Sequence, residues 1–181
     1  STTNKYDFYL NAGKLADKYN FEAIWTPERH FDPVGGLYPN PSILSAALAA
    51  ITSRIQLRAG SIVLPLHDCL RVAEEWSVVD NISNGRVGVA IASGWHVRDF
   101  VLAPENFSSR KDVMFNSIET LKELWKGKSI IRKDGRNGDV DVQIFPKPLQ
   151  KQLPLWITAA NNPATFVEAG RLGVNVLTHL L

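Results

Sequence analysis

Short apolar runs alternate with longer amphipathic segments along the whole chain, and this alternation restricts the fold more than any other feature. The strand-like runs fall at 21–26, 55–64, 86–92, 154–160 and 174–180. Helices are predicted between them. Residues 5–19 carry Tyr9, Ala12, Gly13 and Ala16 at helical spacing. Residues 42–52 follow Asn40-Pro41, an N-cap with proline in the first turn. Residues 68–82 place Val72, Ala73, Trp76, Val79 and Asp80 on one face, and Asn84-Gly85 closes that helix. Residues 109–126 align Met114, Ile118, Leu121 and Trp125, and 164–172 begin at Asn162-Pro163 and end at Gly173. The run 86–92 is small and apolar throughout, as in a parallel strand buried on both faces. Only 129–145 breaks the rhythm. Two strands, 129–132 and 140–145, flank Asp134-Gly135-Arg136-Asn137-Gly138 and predict a hairpin outside the main sheet.

Repeated strand–helix units predict a parallel α/β architecture, either an open doubly wound sheet or a barrel. No G-x-G-x-x-G follows the first strand and no P-loop is present, which weakens the open nucleotide-binding version. Polar residues gather where strands end: Thr26, Glu28, Arg29 and His30; Ser61; Ser93 and Gly94; 158–162; Thr178 and His179. A barrel mouth requires this clustering. A closed barrel of this type takes about eight strands, and the alternation supplies fewer. The chain is therefore expected to be a single domain, 1–181, that is part of a longer barrel cut at both ends. Its strand edges then need cover from the remaining barrel or another chain.

Composition excludes several classes. With 45% apolar and 21% charged residues in 181, the chain has ordinary globular composition. The net charge of +2 is spread along the sequence, and acidic residues interrupt the basic stretch near Arg132 and Lys133, so no nucleic-acid partner is expected. The single cysteine, Cys69, excludes an internal disulfide and a cysteine metal framework. It is expected in the core at a helix start, and a reducing, cytoplasmic setting fits. Residues 1–7 are polar and do not read as a signal peptide. No apolar run approaches the ~20 residues of a membrane span, so no membrane partner is expected.

Three strand-end clusters carry candidate chemistry. Trp25-Thr26-Pro27-Glu28-Arg29-His30-Phe31 sets a carboxylate, a guanidinium and an imidazole directly after a strand. His30 can exchange a proton near neutral pH, Arg29 can hold an anion, and Glu28 can orient either. A structural ion pair is the competing reading. In Thr158-Ala159-Ala160-Asn161-Asn162-Pro163, a strand ends at a capped helix whose first-turn N–H groups can bind a phosphate; a plain helix cap is the alternative. In Ser93-Gly94-Trp95-His96, Gly94 permits close backbone approach to a planar ligand and Ser93 can bond a phosphate oxygen, while His96 reads as a surface residue. Gly60-Ser61, inside a strand, suggests a bulge or close approach. His67 and His179 read as structural histidines. No H-x-x-x-H, carboxylate triad or cysteine cluster suggests a metal, and no G-x-S-x-G suggests a hydrolase.

On these residues the chain resembles the bacterial luciferase-like monooxygenase family. The likeness rests on Trp25 to Phe31, Gly35-Gly36-Leu37-Tyr38-Pro39-Asn40-Pro41-Ser42, residues 58–66 and 72–80, and Asn84-Gly85-Arg86. Ala92-Ser93-Gly94-Trp95-His96, Leu102-Ala103-Pro104-Glu105-Asn106-Phe107 and Trp156-Ile157-Thr158-Ala159-Ala160 resemble the luciferase-like domains embedded in nonribosomal peptide and polyketide synthases. The resemblance implies a TIM-like (β/α)8 barrel, here incomplete, using reduced FMN and O2. Oxygen adds at the flavin C4a position, and the resulting peroxyflavin oxidises a small or carrier-bound substrate. It also implies a flavin reductase partner and a homodimer. Gly60-Ser61 falls where the family has a non-proline cis peptide beneath the flavin ring. Ser93, Gly94, Thr158, Ala160, Asn161 and Asn162 fall at the cofactor. Glu28, Arg29 and His30 fall at the catalytic motif, with Arg29 where the family has its first histidine. A guanidinium does not serve as a general base, so this departure keeps a non-catalytic flavin-binding barrel open. A relative using deazaflavin F420 without oxygen is the third reading.

Overall fold

The computed structural model describes residues 4–178. The chain runs α1 Asp7–Lys18, β1 Ala23–Thr26, α2 Pro41–Ala49, β2 Gln56–Val63, α3 Cys69–Ser83, β3 Val87–Ala92, α4 Arg110–Trp125, β4 Ile130–Lys133, β5 Asp139–Val142, β6 Leu155–Thr158, α5 Pro163–Arg171 and β7 Asn175–Leu177. β1, β2, β3, β6 and β7 form a five-stranded sheet in that order, every pair parallel. β4 and β5 form the predicted hairpin outside it. The sheet does not close among the described residues, and β1 and β7 are its edges. The expected final strand is realised over Asn175–Leu177, shorter than expected, with Val174 and Thr178 outside it; His179 and Leu180 lie outside the described residues. Short 3-10 turns at Leu64–Leu66, Val97–Leu102 and Pro104–Asn106 were not foreseen. Each follows a strand or lies between longer elements, where no apolar period exists to announce it.

Alternation along the strands divides the sheet into two faces. Leu57, Ala59, Val87, Val89, Ile91, Leu155 and Ile157 pack with α-helical residues Leu48, Val72, Trp76, Met114, Ile118 and Leu121 in one core. The other face carries Trp25, Arg58, Gly60, Gly88 and Trp156. Trp25 on β1 and Trp156 on β6 are three strand spacings apart, about 14 Å in a flat sheet. Their rings nevertheless meet at 5.1 Å between centroids, and the Arg58 guanidinium lies over both, at 5.2 and 4.7 Å. They meet because each ring lies down over a glycine, Trp25 over Gly60 and Trp156 over Gly88, where no side chain stands in the way. The helices cover the opposite face. Thr26 is a correction to the mouth residues expected from sequence. It points opposite to Trp25, into the helix layer, where its hydroxyl pairs with the Tyr9 hydroxyl at 2.7 Å. Burial there pushes the Tyr9 hydroxyl pKa up to about 12.

Three charged residues tie the layers together. Asp80, expected on the inner face of α3, is fully buried. It accepts hydrogen bonds from the Leu149 and Gln150 N–H groups and from Gln150 Nε2, at 2.6, 3.0 and 2.8 Å. Arg86, at the start of β3, donates to the carbonyls of Ser83, Ile55, Ala49 and Thr52 and to the Thr52 hydroxyl. Asp17, at the end of α1, accepts from the N–H groups of Ser53, Arg54 and Ile55. Burial opposes the charge on Asp17, but these three donors, with the Ser53 hydroxyl, outweigh it and hold the carboxyl at about 2. A depressed carboxylate pKa stabilises the fold fully above the unfolded value, and that stability fades as pH falls toward about 2. Asp17→Ala is expected to cost about 1–2 kcal/mol at pH 7. Urea denaturation at pH 7 and near pH 3 checks this, with a smaller difference at the lower pH. No helix among the described residues is long and apolar enough to cross a membrane.

Candidate active site

Because the strands are parallel, the segments following β1, β2, β3 and β6 leave the sheet at the same rim. The first two are bound to each other through Glu28. Its side chain is 1% exposed, and one carboxylate oxygen, Oε1, accepts from His30 Nε2 at 2.7 Å and from His67 Nε2 at 2.5 Å. The other, Oε2, accepts the Val63 N–H at the end of β2, at 2.7 Å. Burial alone would raise the Glu28 carboxyl. The bonds from both imidazoles, the charge of His67 and the Val63 N–H outweigh it and hold the group below the usual carboxylate range. Burial likewise opposes a charge on His67, yet the hydrogen bond and charge of Glu28, with Glu75 nearby, raise it above the usual imidazole value. With Nε2 of His30 committed to Glu28, Nδ1 is the ring atom left to accept or give up a proton.

Phe31 follows His30 in the left-handed region, with φ +51°, and this reversal turns the loop away after placing His30 against Glu28. Arg29 points elsewhere. It pairs with Asp32 at 2.8 Å and lies over the ring of Trp95, 5.7 Å from its centroid. Trp95 comes from the segment after β3, so Arg29 joins the β1 and β3 ends of the rim. His96, read as a surface residue, is partly buried and bonded to Asp99 at 3.0 Å.

Gly60 and Ser61 lie at the bulge where β2 shifts register against β3, and the peptide bond between them is cis. A Cβ on Gly60 would stand 3.0 Å from Trp25 Cβ, so glycine here lets the backbone lie against that ring. Ser93 and Gly94 directly follow β3. Gly94 has φ +78°, and a Cβ on it would meet Val63 at 2.6 Å and Phe100 at 2.9 Å. Gly94→Ala is expected to destabilise the protein by about 1–3 kcal/mol through both strain and overpacking, read as a lowered urea midpoint.

At the fourth segment, Thr158 ends β6, and its Oγ1 is buried without a hydrogen-bond partner. Ala160, Asn161 and Asn162 are exposed. Asn162 caps α5 by accepting the Ala164 N–H at 3.0 Å, and the Thr165 N–H bonds the Asn162 carbonyl. The expected first-turn anion site is thereby corrected. Pro163 has no donor and the N–H groups of the next two residues, Ala164 and Thr165, are already engaged, so the donors available to an anion are upstream, in the loop at Ala160 to Asn162. The structure thus joins Glu28, Arg29 and His30 to the β2 and β3 ends by direct contact. It sets Thr158 to Asn162 on the same rim through the β3–β6 pairing, without a contact to His30.

Two participants were undervalued in the sequence. His67 read as structural, although it follows β2 closely, much as His30 follows β1; that position after a strand was the available signal. Trp95 was passed over as part of a glycine motif.

A family described as luciferase-like monooxygenase matches residues 1–181. The oxygenase component of a flavin-dependent trigonelline monooxygenase from Acinetobacter baylyi is 30% identical over 178 residues, covering 94% of this chain and 48% of that protein. The chain spans about half the length of the first curated relatives it matches. Among solved structures, the oxygenating constituent of 3,6-diketocamphane monooxygenase from Pseudomonas putida, in complex with FMN, superposes with a TM-score of 0.78 at 19% identity, over 98% of this chain and 52% of that one. An F420-dependent secondary alcohol dehydrogenase superposes with a TM-score of 0.77 at 20% identity, over 97% of this chain and 54% of that one. At those identities the two structures establish the fold.

Proposed function

Because the chain belongs to the luciferase-like monooxygenase family, we propose that it supplies the flavin-facing wall of an FMN-dependent monooxygenase. The observation that carries this reading is the single rim on which Glu28 binds the β1 segment to β2 and His67, and Arg29 reaches Trp95 beyond β3. The residues present fit a flavin. Thr158 Oγ1 is a buried hydroxyl lacking a partner, and Gly60 and Gly94 keep the strand ends slim, packed against Trp25 and against Val63 and Phe100.

Bound reduced FMN supplies the electrons for reaction with O2. The chain's own residues bind, orient and shield. The Gly60-Ser61 and Gly94 backbone supports the flat ring system. Ser93, Thr158 and the amides of Ala160, Asn161 and Asn162 hold the phosphate end. Glu28 fixes the ring of His30, which holds or moves a proton at Nδ1. Arg29, balanced by Asp32, stabilises negative charge, and Trp95 narrows the mouth against water. The substrate is a small molecule or an acyl or aminoacyl chain on a carrier protein of peptide or polyketide assembly. A flavin reductase delivers reduced FMN to a cytoplasmic homodimer.

Spectrophotometric titration with FMN, reduced FMN and F420, followed by oxygen consumption, tests the proposal. Preferential binding of reduced FMN with oxygen uptake is expected. Preference for F420 without uptake favours the alternative oxidoreductase. A second reading, a flavin-binding barrel without catalysis, draws on Arg29 standing paired with Asp32 in place of a base; flavin binding without any turnover is its signature.

A further inference from the structure

Glu28 Oε1, His30 Nε2 and His67 Nε2 all lie within 4.8 Å of one another. We propose that these three atoms form a binding site for one divalent transition-metal ion of the zinc class, and that the ion inhibits the protein. The binding itself does not depend on the function proposed above; only its inhibitory consequence rests on that reading.

Two imidazoles and one carboxylate select zinc, cobalt or nickel over magnesium or calcium, which favour all-oxygen sites. In a tetrahedral zinc site each ligand is about 2.0–2.2 Å from the ion, which sets ligand atoms about 3.3 Å apart. The nitrogens now stand 2.7 and 2.5 Å from the oxygen, as hydrogen bonds. Replacing the shared protons by an ion therefore needs each ligand to retreat by less than about 1 Å. The Val63 N–H holds the second carboxylate oxygen, the kind of outer contact that orients a metal ligand. A cavity of about 50 Å³ beside Glu28 and His67, which Ser42 and Glu75 also line, has room for a water as fourth ligand, since one water occupies about 30 Å³. The sequence shows no metal spacing because Glu28 and His67 are 39 positions apart and on separate segments. An ion on Nε2 leaves the neutral imidazole of His30 with its proton on Nδ1, so that nitrogen has no lone pair with which to accept another, and metal binding removes the base.

The test is titration of the purified, flavin-free protein with cobalt(II), followed by its visible d–d absorption, and with zinc by calorimetry. One ion per chain is expected at this cluster. His67→Gln and His30→Gln should each weaken binding by at least about tenfold, with the circular dichroism spectrum retained, and His96→Gln should leave it unchanged. If one of the first two variants fails to fold, the other decides. Absence of a cobalt spectrum in the parent protein overturns the proposal. So does binding that both variants leave intact. Failure of flavin binding alone leaves it standing, because no flavin is present in the measurement.

Discussion

Replacing His30 with alanine is expected to lower oxygen-dependent turnover by about 10²–10⁴-fold, the range set by loss of a positioned acid–base group, while flavin affinity stays within about threefold. The two effects separate because His30 and the flavin-holding groups sit on different segments. His30 contacts Glu28 and stacks near Phe31, whereas Gly60 and Thr158 belong to β2 and β6 and Gly94 follows β3. The imidazole is nearly buried, with one nitrogen fixed, so its working atom is held in place before any substrate arrives. Parallel losses of turnover and flavin affinity would instead mark His30 as a structural prop. Unchanged turnover would favour the non-catalytic barrel.

The largest stability loss is expected from Arg86→Ala, at about 3–5 kcal/mol. Arg86 satisfies carbonyls from Ala49 at the end of α2, Thr52 just after it, Ile55 before β2 and Ser83 at the end of α3. Its removal leaves several of these acceptors in a buried region without donors, at about 1 kcal/mol or more each. A typical domain has about 5–15 kcal/mol in all, so the variant would be close to unfolding at room temperature. Arg86→Lys is expected to recover less than half of the loss, because an ammonium has no planar fork to reach four carbonyls at once. Urea midpoints at constant slope measure both. A loss under about 1 kcal/mol for the alanine variant would show that water replaces the guanidinium.

The helices were legible because each has an apolar face with a single period, and β3 because it is apolar throughout. Met114, Ile118, Leu121 and Trp125 are all buried as their spacing implied, and Cys69 sits in the core at the start of α3. The glycine motifs were legible for a similar reason, since Gly94 occupies a left-handed position with no room for a side chain. What escaped was pairing across the chain. Nothing in the spacing of Glu28 and His67 tells that two imidazoles share one carboxylate oxygen, because the parallel crossover sets that distance. Asp80 is the same case, a charge on an apolar helix face whose donors come from Leu149 and Gln150. The first turn of α5 is a different case. Asn162 was read correctly as a cap, but a capping side chain uses the very donor that an anion would need.

The most direct test of the common rim is to follow backbone amide resonances while FMN is added. Ser61, Ser93, Gly94 and Asn161 are expected to shift together along one saturation curve, with Ala23, Gln56, Val87 and Leu155, at the opposite strand ends, unmoved. Separate saturation curves for these four amides, or shifts confined to the opposite strand ends, would contradict a single flavin site.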